Sequence, residues 1–262
     1  MSENTHTVLV TRPQHQAGEF VKLLKNNGFN SLEFASIEIL PVELSEILKQ
    51  KLSSLNEYDL ILFISANAVQ QALNLLRQLN LTSADFTVPI ATIGKATLDA
   101  ATSAGFKVSI CPQQGFNSSA LLALEALQAE QIKGARCLIM RGVGGLEKLA
   151  DELHRRGAQV EYAQVYQRKM PREDGEISRK QLSKNWDSFG ISAITTTSNE
   201  SLQNLYDMLE PPGQTRMLNT LLVVASERTE NLARTLGFKF IKCAKSAINS
   251  HMLDALETQF NE

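Results

Sequence analysis

The sequence has little that would support a disulfide framework or a metal cluster. Its three cysteines, Cys111, Cys137 and Cys243, are far apart and odd in number, and no CxxC pair occurs among the 262 residues. The four histidines do not cluster in sequence either. This cysteine usage is typical of a reducing compartment, so we expect a cytoplasmic protein that binds no metal.

An excess of positive charge and a long apolar run are also missing. The formal net charge is −2, and lysine and arginine are scattered rather than clustered. We therefore expect no nucleic-acid partner. No apolar stretch approaches the roughly 20 residues that span a bilayer, and the polar N-terminus does not resemble a signal peptide. We expect no membrane association.

The sequence does have the length and apolar content for two cores. Hydrophobic residues make up 43% and charged residues 21% of the chain, which excludes a disordered or fibrous protein. A chain of 262 residues is long for one small domain and comfortable for two of about 130 residues.

The same pattern occurs twice along the chain. Residues 91–128 align without a gap on residues 223–260, with 12 identities in 38 pairs. The identities include Gly-Phe-Lys at 105–107 and 237–239, and Asn-Ser at 117–118 and 249–250. A weaker match at shifts of 128 to 133 residues continues upstream. We infer an internal duplication, because shared polar pairs are not explained by a common apolar pattern.

Apolar strand-like runs alternate with helical patterns in both copies. Strands are predicted at 8–10, 60–64 and 90–93, and again at 137–140, 191–196 and 221–225. Helices follow them and are predicted to end at glycines such as Gly28 and Gly237. Short loops between alternating strands and helices indicate an α/β protein with parallel sheets flanked by helices.

Two extended stretches interrupt this alternation at equivalent points of the copies. Residues 36–42 and 164–171 each contain a proline near their end, and we interpret them as antiparallel linkers. The prediction is two similar lobes, each a parallel sheet flanked by helices, joined by two extended linker strands. The first lobe comprises residues 1–35 and 170–262, and the second comprises 36–169 with both linkers. The opening strand-helix-strand would then pack with the C-terminal part of the chain.

Candidate binding residues follow the predicted strands, where open parallel sheets bind ligands. Each group precedes a helix, whose N-terminus binds carboxylate or phosphate without a basic protein. The candidates are Arg12, Ser65, Gly94, Lys95, Arg141, Ser198, Asn199, Arg228 and Thr229. Serines at such positions are also ordinary N-caps, and the two strand-end arginines fit a surface role equally well.

A nucleotide-dependent enzyme is a further interpretation. Gly142-Val143-Gly144-Gly145 follows a strand, and Glu161 lies about 20 residues further on, as a ribose-binding acid would. Glu147 replaces the third glycine of the motif, which argues against a dinucleotide site.

Several segments together resemble the uroporphyrinogen-III synthase family. They are Thr11-Arg12-Pro13, FISANAV at 63–69, ATIGKAT at 91–97 and QVYQ at 164–167. Each motif is weak alone, but their order and spacing match over nearly the whole chain. The resemblance implies a cyclising lyase of tetrapyrrole (haem) biosynthesis that needs no metal or organic cofactor.

The resemblance also implies the substrate and the residue roles. The substrate would be hydroxymethylbilane, a linear tetrapyrrole polycarboxylate, which the enzyme closes with loss of water and inversion of the terminal pyrrole ring. Tyr166 would be the catalytic proton donor, and the strand-end residues would bind carboxylates. We expect a monomer, with transient handover of substrate from the enzyme that makes it.

The alternative is a two-lobed small-molecule binding or sensor module without catalysis. Such a sensor would carry an added output segment, for which we expect no room in this chain, so the enzyme is the favoured interpretation.

Overall fold

The structure is a computed structural model that describes residues 6–115, 117–145, 147–172 and 175–260. The strands are β1 (Thr7–Val10), β2 (Asn30–Glu33), β3 (Glu38–Pro41), β4 (Leu60–Phe63), β5 (Ile90–Thr92), β6 (Val108–Ile110), β7 (Arg136–Gly142), β8 (Gln159–Lys169), β9 (Ile191–Thr196), β10 (Leu221–Val224) and β11 (Ile241–Cys243). The helices are α1 (Gln14–Asn26), α2 (Glu46–Ser53), α3 (Ala66–Gln78), α4 (Lys95–Ser103), α5 (Ser118–Leu122), α6 (Ala129–Ile132), α7 (Lys148–Arg155), α8 (Arg179–Asn185), α9 (Asn199–Met208), α10 (Pro211–Leu218), α11 (Glu227–Leu236) and α12 (Asn249–Phe260).

The chain divides into two compact units. Unit 1 comprises Met1–Glu38 and Lys169–Glu262, and unit 2 comprises Ile39–Arg168. The sequence placed the first boundary after residue 35 and the second before residue 170. The first boundary falls later because Ser36 is fully buried in unit 1, where its hydroxyl contacts the Ser201 hydroxyl at 2.7 Å. The first five residues of the predicted first lobe lie outside the described residues.

Each unit contains one sheet. In unit 1 the strand order is β11-β10-β9-β1-β2, and all four pairings are parallel. In unit 2 the order is β3-β8-β7-β4-β5-β6, and the pairings from β8 to β6 are parallel. The α/β class and the parallel sheets predicted from the sequence are confirmed.

The two sheets are assembled from exchanged halves of the repeat. Strand β1 pairs with β9, with Leu9 opposite Ile194, so the opening strands join the C-terminal part of the chain. Strand β7 pairs with β4, with Leu138 opposite Ile61. The order β2-β1-β9-β10-β11 in unit 1 therefore corresponds to β8-β7-β4-β5-β6 in unit 2, as expected for duplicated sequences.

The predicted linkers differ from one another. In the first copy, β2 and β3 are separate strands that belong to different sheets. In the second copy, the predicted second strand and the linker form one strand, β8, of 11 residues. The predicted linker at 164–171 is extended, but its first part continues the second strand, because the segment keeps its pairing with β7 through a register shift opposite Arg141 and Gly142.

Alternating side chains place apolar residues on both faces of each sheet. In unit 1, Leu9 packs with Trp186 on one face, whereas Val8 packs with Phe20 on the other. Unit 2 has the same two-faced core. Among the described residues no helix is long and apolar enough to cross a membrane.

Helix ends follow the predicted capping residues with small shifts. Ser65 accepts from the Ala68 amide at 3.1 Å and Ser198 from the Ser201 amide at 3.1 Å, so both are N-caps. Gly237 ends α11 in the left-handed conformation with φ +96°. Helix α1 ends at Asn26 with Asn27 as its cap, and Gly28 follows with φ +80°.

We predict that Gly213→Ala destabilises the protein by about 1–3 kcal/mol, the usual cost of overpacking. A Cβ atom on Gly213 in α10 would come within 2.8 Å of the Ser183 Cα atom in α8, and this buried backbone cannot move freely. The measurement is urea unfolding. The matched control is Gly18→Ala in α1, where a Cβ atom meets nothing within 4 Å and we expect a gain of about 0.5–1 kcal/mol. Equal effects would contradict the packing explanation.

Candidate active site

The carboxyl ends of the parallel strands bring the predicted residues to one edge of each sheet. In unit 2 the register pairs Phe63 with both Thr92 and Met140, so β4 and β5 end at the same level and β7 extends two residues further at the same edge. In unit 1, Val10 pairs with Thr195 and Val224 with Thr196. Each edge is followed by helix N-termini, whose free amides attract anions.

Tyr166 is the predicted catalytic residue, and its side chain is buried in unit 2 with 4% exposure. Its hydroxyl lies 3.2 Å from the Ser65 hydroxyl at the N-terminus of α3. The register shift between β7 and β8 places Gly142 opposite Tyr166. Both Val165 and Tyr166 then contact the same core as Phe63 and Met140, which successive residues of a regular strand cannot do. The bulge therefore turns the phenol toward Ser65.

Gly94 and Lys95 begin α4 at the end of β5. Gly94 is buried, and its carbonyl accepts from the Thr97 and Leu98 amides at 3.1 and 2.9 Å. Lys95 is exposed and forms an ion pair with Asp99 at 3.6 Å across one helical turn. An exposed i,i+4 pair is weak, so the ammonium group remains available to an anion.

Arg141 is buried, and its guanidinium group binds its own turn. It donates to the Gly142 carbonyl at 3.3 Å and to the Gly144 carbonyl. It also lies 4.6 Å from the centroid of the Tyr162 ring. These contacts favour a role in ordering the turn over the predicted carboxylate contact.

In unit 1 the N-termini of α9 and α11 are joined by a side-chain hydrogen bond. The Thr229 hydroxyl donates to the Asn199 amide oxygen at 2.9 Å and contacts the Ser226 hydroxyl at 3.0 Å. Thr229 is only 1% exposed, so it orients Asn199 rather than facing solvent. Arg228 is exposed on the first turn of α11.

Arg12 follows β1 and contacts the segment before α12. Its guanidinium group donates to the Asn249 amide oxygen at 2.7 Å and to the Ala247 carbonyl at 3.0 Å. It lies 4.8 Å from the centroid of the Phe20 ring. Burial lowers the pKa of Arg12, against an opposing effect of Glu19. These contacts make Arg12 a support for this edge of unit 1.

A buried chain of three hydroxyl groups in unit 1 was not predicted from the sequence. The Thr11 hydroxyl donates to the Thr195 carbonyl at 2.8 Å and contacts the Ser201 hydroxyl at 2.9 Å. The Ser201 hydroxyl in turn contacts the Ser36 hydroxyl at 2.7 Å. The only sequence signal was polar residues directly after buried strands. This chain of hydroxyl groups holds the backbone at the point where the polypeptide leaves unit 1.

The nucleotide interpretation is contradicted by the position of Glu161. This carboxylate forms ion pairs with Lys51 at 3.0 Å and Arg136 at 3.6 Å. The hydrogen bond from Lys51 is the main reason that the pKa of Glu161 is lowered. Glu161 pairs with Leu138, four residues before Gly142, which at about 3.3 Å per residue is roughly 13 Å away. It cannot bind a ribose at the glycine-rich turn.

Metal ligands do not gather in the part of the chain that the structure describes. No group of three or more His, Cys, Asp or Glu side chains there could hold a metal ion. Cys137 is buried, and burial raises the pKa of its thiol to about 11. A thiol with such a pKa is a poor ligand and a poor nucleophile at neutral pH.

Two solved structures share this fold. The uroporphyrinogen-III synthetase from Helicobacter pylori 26695 matches with a TM-score of 0.65 at 14% identity, over 97% of this chain and 100% of that chain. A mutant uroporphyrinogen III synthase from the extreme thermophile Thermus thermophilus matches with a TM-score of 0.59 at 16% identity, over 98% and 99%.

Proteins related in sequence have the same description as these two structures. The uroporphyrinogen-III synthase of Escherichia coli strain K12 is 34% identical over 96% of this chain and 100% of its own length. That of Salmonella typhimurium strain LT2 is also 34% identical over the same shares. The family model described as "Uroporphyrinogen-III synthase HemD" matches residues 18–254. The chain belongs to the uroporphyrinogen-III synthase family.

Proposed function

We propose that Tyr166 and the strand-end turns of both units carry the family's reaction in this chain. The activity is that of a uroporphyrinogen-III synthase, a cyclising lyase that closes hydroxymethylbilane with loss of water and inversion of the terminal pyrrole ring. The observation that carries this conclusion is the 34% identity to the Escherichia coli enzyme over that enzyme's full length. The binding-module alternative is not favoured.

The chemistry requires control of geometry more than strong acid-base catalysis. The substrate's hydroxyl group leaves readily, because the pyrrole nitrogen stabilises the cation that remains. Direct closure of that cation gives the uninverted isomer. The protein must instead bring the substituted carbon of the last ring onto the cation, so that a spiro intermediate forms. Holding reacting atoms in place is an effect that proteins supply without special functional groups.

Tyr166 is proposed as the proton donor to the departing hydroxyl. The Ser65 hydroxyl already accepts from the Ala68 amide at 3.1 Å. Its own proton can therefore point to the Tyr166 oxygen, 3.2 Å away. In this arrangement the Tyr166 proton is directed at the substrate, and Ser65 stabilises the negative charge that develops on the phenol oxygen.

The helix N-termini are proposed to bind the substrate carboxylates. In unit 2 these are the first turns of α3 and α4, with Lys95 as the cationic side chain. In unit 1 they are the first turns of α9 and α11, with Ser198, Asn199 and Arg228 at the surface. Free amides and the positive ends of helix dipoles bind carboxylates in a protein of net charge −2.

We also propose a monomer that works in the cytoplasm and receives its substrate by transient handover. Three free cysteines are consistent with a reducing compartment, and rapid spontaneous closure of the substrate favours handover. Sedimentation analysis tests the oligomeric state, and a dimer mass at working concentration would contradict the monomer.

We predict that Tyr166→Phe lowers kcat by roughly 10- to 100-fold, at the lower end for a general acid because the pyrrole already assists departure. The measurement is a coupled assay in which hydroxymethylbilane is generated in situ and uroporphyrinogen III is quantified. The control is Tyr206→Phe in α9 of unit 1, which should leave the rate unchanged. An unchanged rate for folded Tyr166→Phe would mean that the proton comes from water or from the substrate's own carboxylates.

We predict that Lys95→Gln and Arg228→Gln each raise KM about twofold to fivefold and leave kcat intact, the equivalent of about 0.4–1 kcal/mol for exposed charge contacts. Added salt should shrink both differences. The matched control is Lys25→Gln, which removes an exposed charge in the last turn of α1, at the opposite end of a helix. If Lys25→Gln raises KM as much, the effect is one of net charge and not of local binding.

A further inference from the structure

The glycine-rich turn at residues 142–145 contacts Tyr166. The turn begins at Gly142, the last residue of β7, and the register pairs Gly142 with Tyr166 on β8. The Val143 amide donates to the Tyr166 carbonyl at 2.8 Å. The backbone of Tyr166 is therefore attached to this turn, directly beyond the bulge that directs its side chain.

Gly142 also makes room for the Tyr166 ring. A Cβ atom at this position would lie 2.8 Å from Cζ, 2.9 Å from Cε2 and 3.2 Å from the hydroxyl oxygen of Tyr166. These distances are shorter than van der Waals contact, so any side chain at residue 142 displaces the phenol. Gly142 has no positive φ. This position therefore requires glycine for its small size and not for an unusual backbone conformation.

Arg141 fixes the turn from the opposite face of β7. Its guanidinium group donates to the carbonyls of Gly142 and Gly144 and stacks on Tyr162. Gly145 has φ +103°, and a Cβ atom there would collide with the Arg141 terminal nitrogen. A planar group with several donors is suited to binding two carbonyls at once. Gly142 is thus explained by the Tyr166 ring and Gly145 by the Arg141 side chain, whereas Gly144 meets nothing within 4 Å and is required for its φ of +72°.

We propose that Gly142 is a positioning residue, and that the turn held by Arg141 sets where the Tyr166 hydroxyl stands relative to Ser65. This inference rests on the proposed role of Tyr166 as proton donor. If it is correct, substituting Arg141 lowers kcat, because the turn then moves. Substituting a carboxylate ligand would instead raise KM. The same contacts account for glycine at positions 142 and 145 without a nucleotide ligand.

The test is a double-mutant cycle of Gly142→Ala and Tyr166→Phe in the coupled assay, with kcat and KM measured for each variant. We expect Gly142→Ala to lower kcat about 10- to 100-fold, as small misplacements of a reacting group do, with little change in KM. In the Tyr166→Phe background the added loss should be less than about twofold, because the displaced hydroxyl is already gone. Circular dichroism and thermal unfolding verify that each variant is folded.

A second variant keeps the inference testable if Gly142→Ala does not fold. Arg141→Lys retains the charge but cannot bind both carbonyls. We expect it to lower kcat about threefold to tenfold, a weaker form of the same misplacement, and to leave KM unchanged. A raised KM at unchanged kcat would overturn the inference and restore Arg141 as a carboxylate ligand.

The outcomes separate the inference from the proposed function. If Tyr166→Phe keeps the wild-type rate, the proton-donor role fails first. If Tyr166→Phe is slow but Gly142→Ala is as fast as wild type, the positioning role fails and the proton-donor role stands. Multiplicative losses in the double variant would show that Gly142 acts independently of the Tyr166 hydroxyl, and would also overturn the inference.

Discussion

Parallel pairing between exchanged halves of the repeat is the constraint on which the structure depends. The pairs β1–β9 and β7–β4 are the joints between the exchanged halves. Because both pairs are parallel, the strands on either side of each joint end at the same edge of the sheet. Every turn with candidate chemistry then lies at such an edge, ahead of a helix N-terminus. If either joint were antiparallel, half of the strand-end residues in that sheet would lie at the opposite edge. The pairing thus brings residues that are scattered along 262 positions together at one sheet edge in each unit.

This arrangement suits a reaction that needs little functional-group chemistry. The reactive cation forms readily, and the difficulty lies in choosing which carbon it meets. Backbone amides at helix ends are rigid, and their charge does not titrate, so they hold carboxylates in fixed places. Under the proposed function, the Tyr166 phenol then suffices as a proton donor. Its position depends on a bulge in β8, on the space at Gly142 and on the Ser65 hydroxyl.

Much of the fold was predictable from the sequence, because apolar runs, N-cap serines and the repeat carry local signals. The exchange of halves followed from two proline-ended stretches at equivalent points. The single long strand β8 could not be predicted, because Gln164 gives no local sign that it pairs with β7 across a bulge. The hydrogen-bond partners of Arg141 and Arg12 could not be predicted either, since only tertiary contacts reveal which carbonyls an arginine binds. Neither the Thr11–Ser201–Ser36 chain nor the space under Tyr166 has a sequence signature.

The most direct measurement of the central claim is the isomer composition of the product. Hydroxymethylbilane is generated in situ, the protein is added, and the oxidised porphyrins are separated by isomer. If the strand-end turns direct the last ring onto the cation, the III isomer predominates over the I isomer that forms spontaneously. Formation of the I isomer alone, from protein that circular dichroism shows to be folded, would contradict the account.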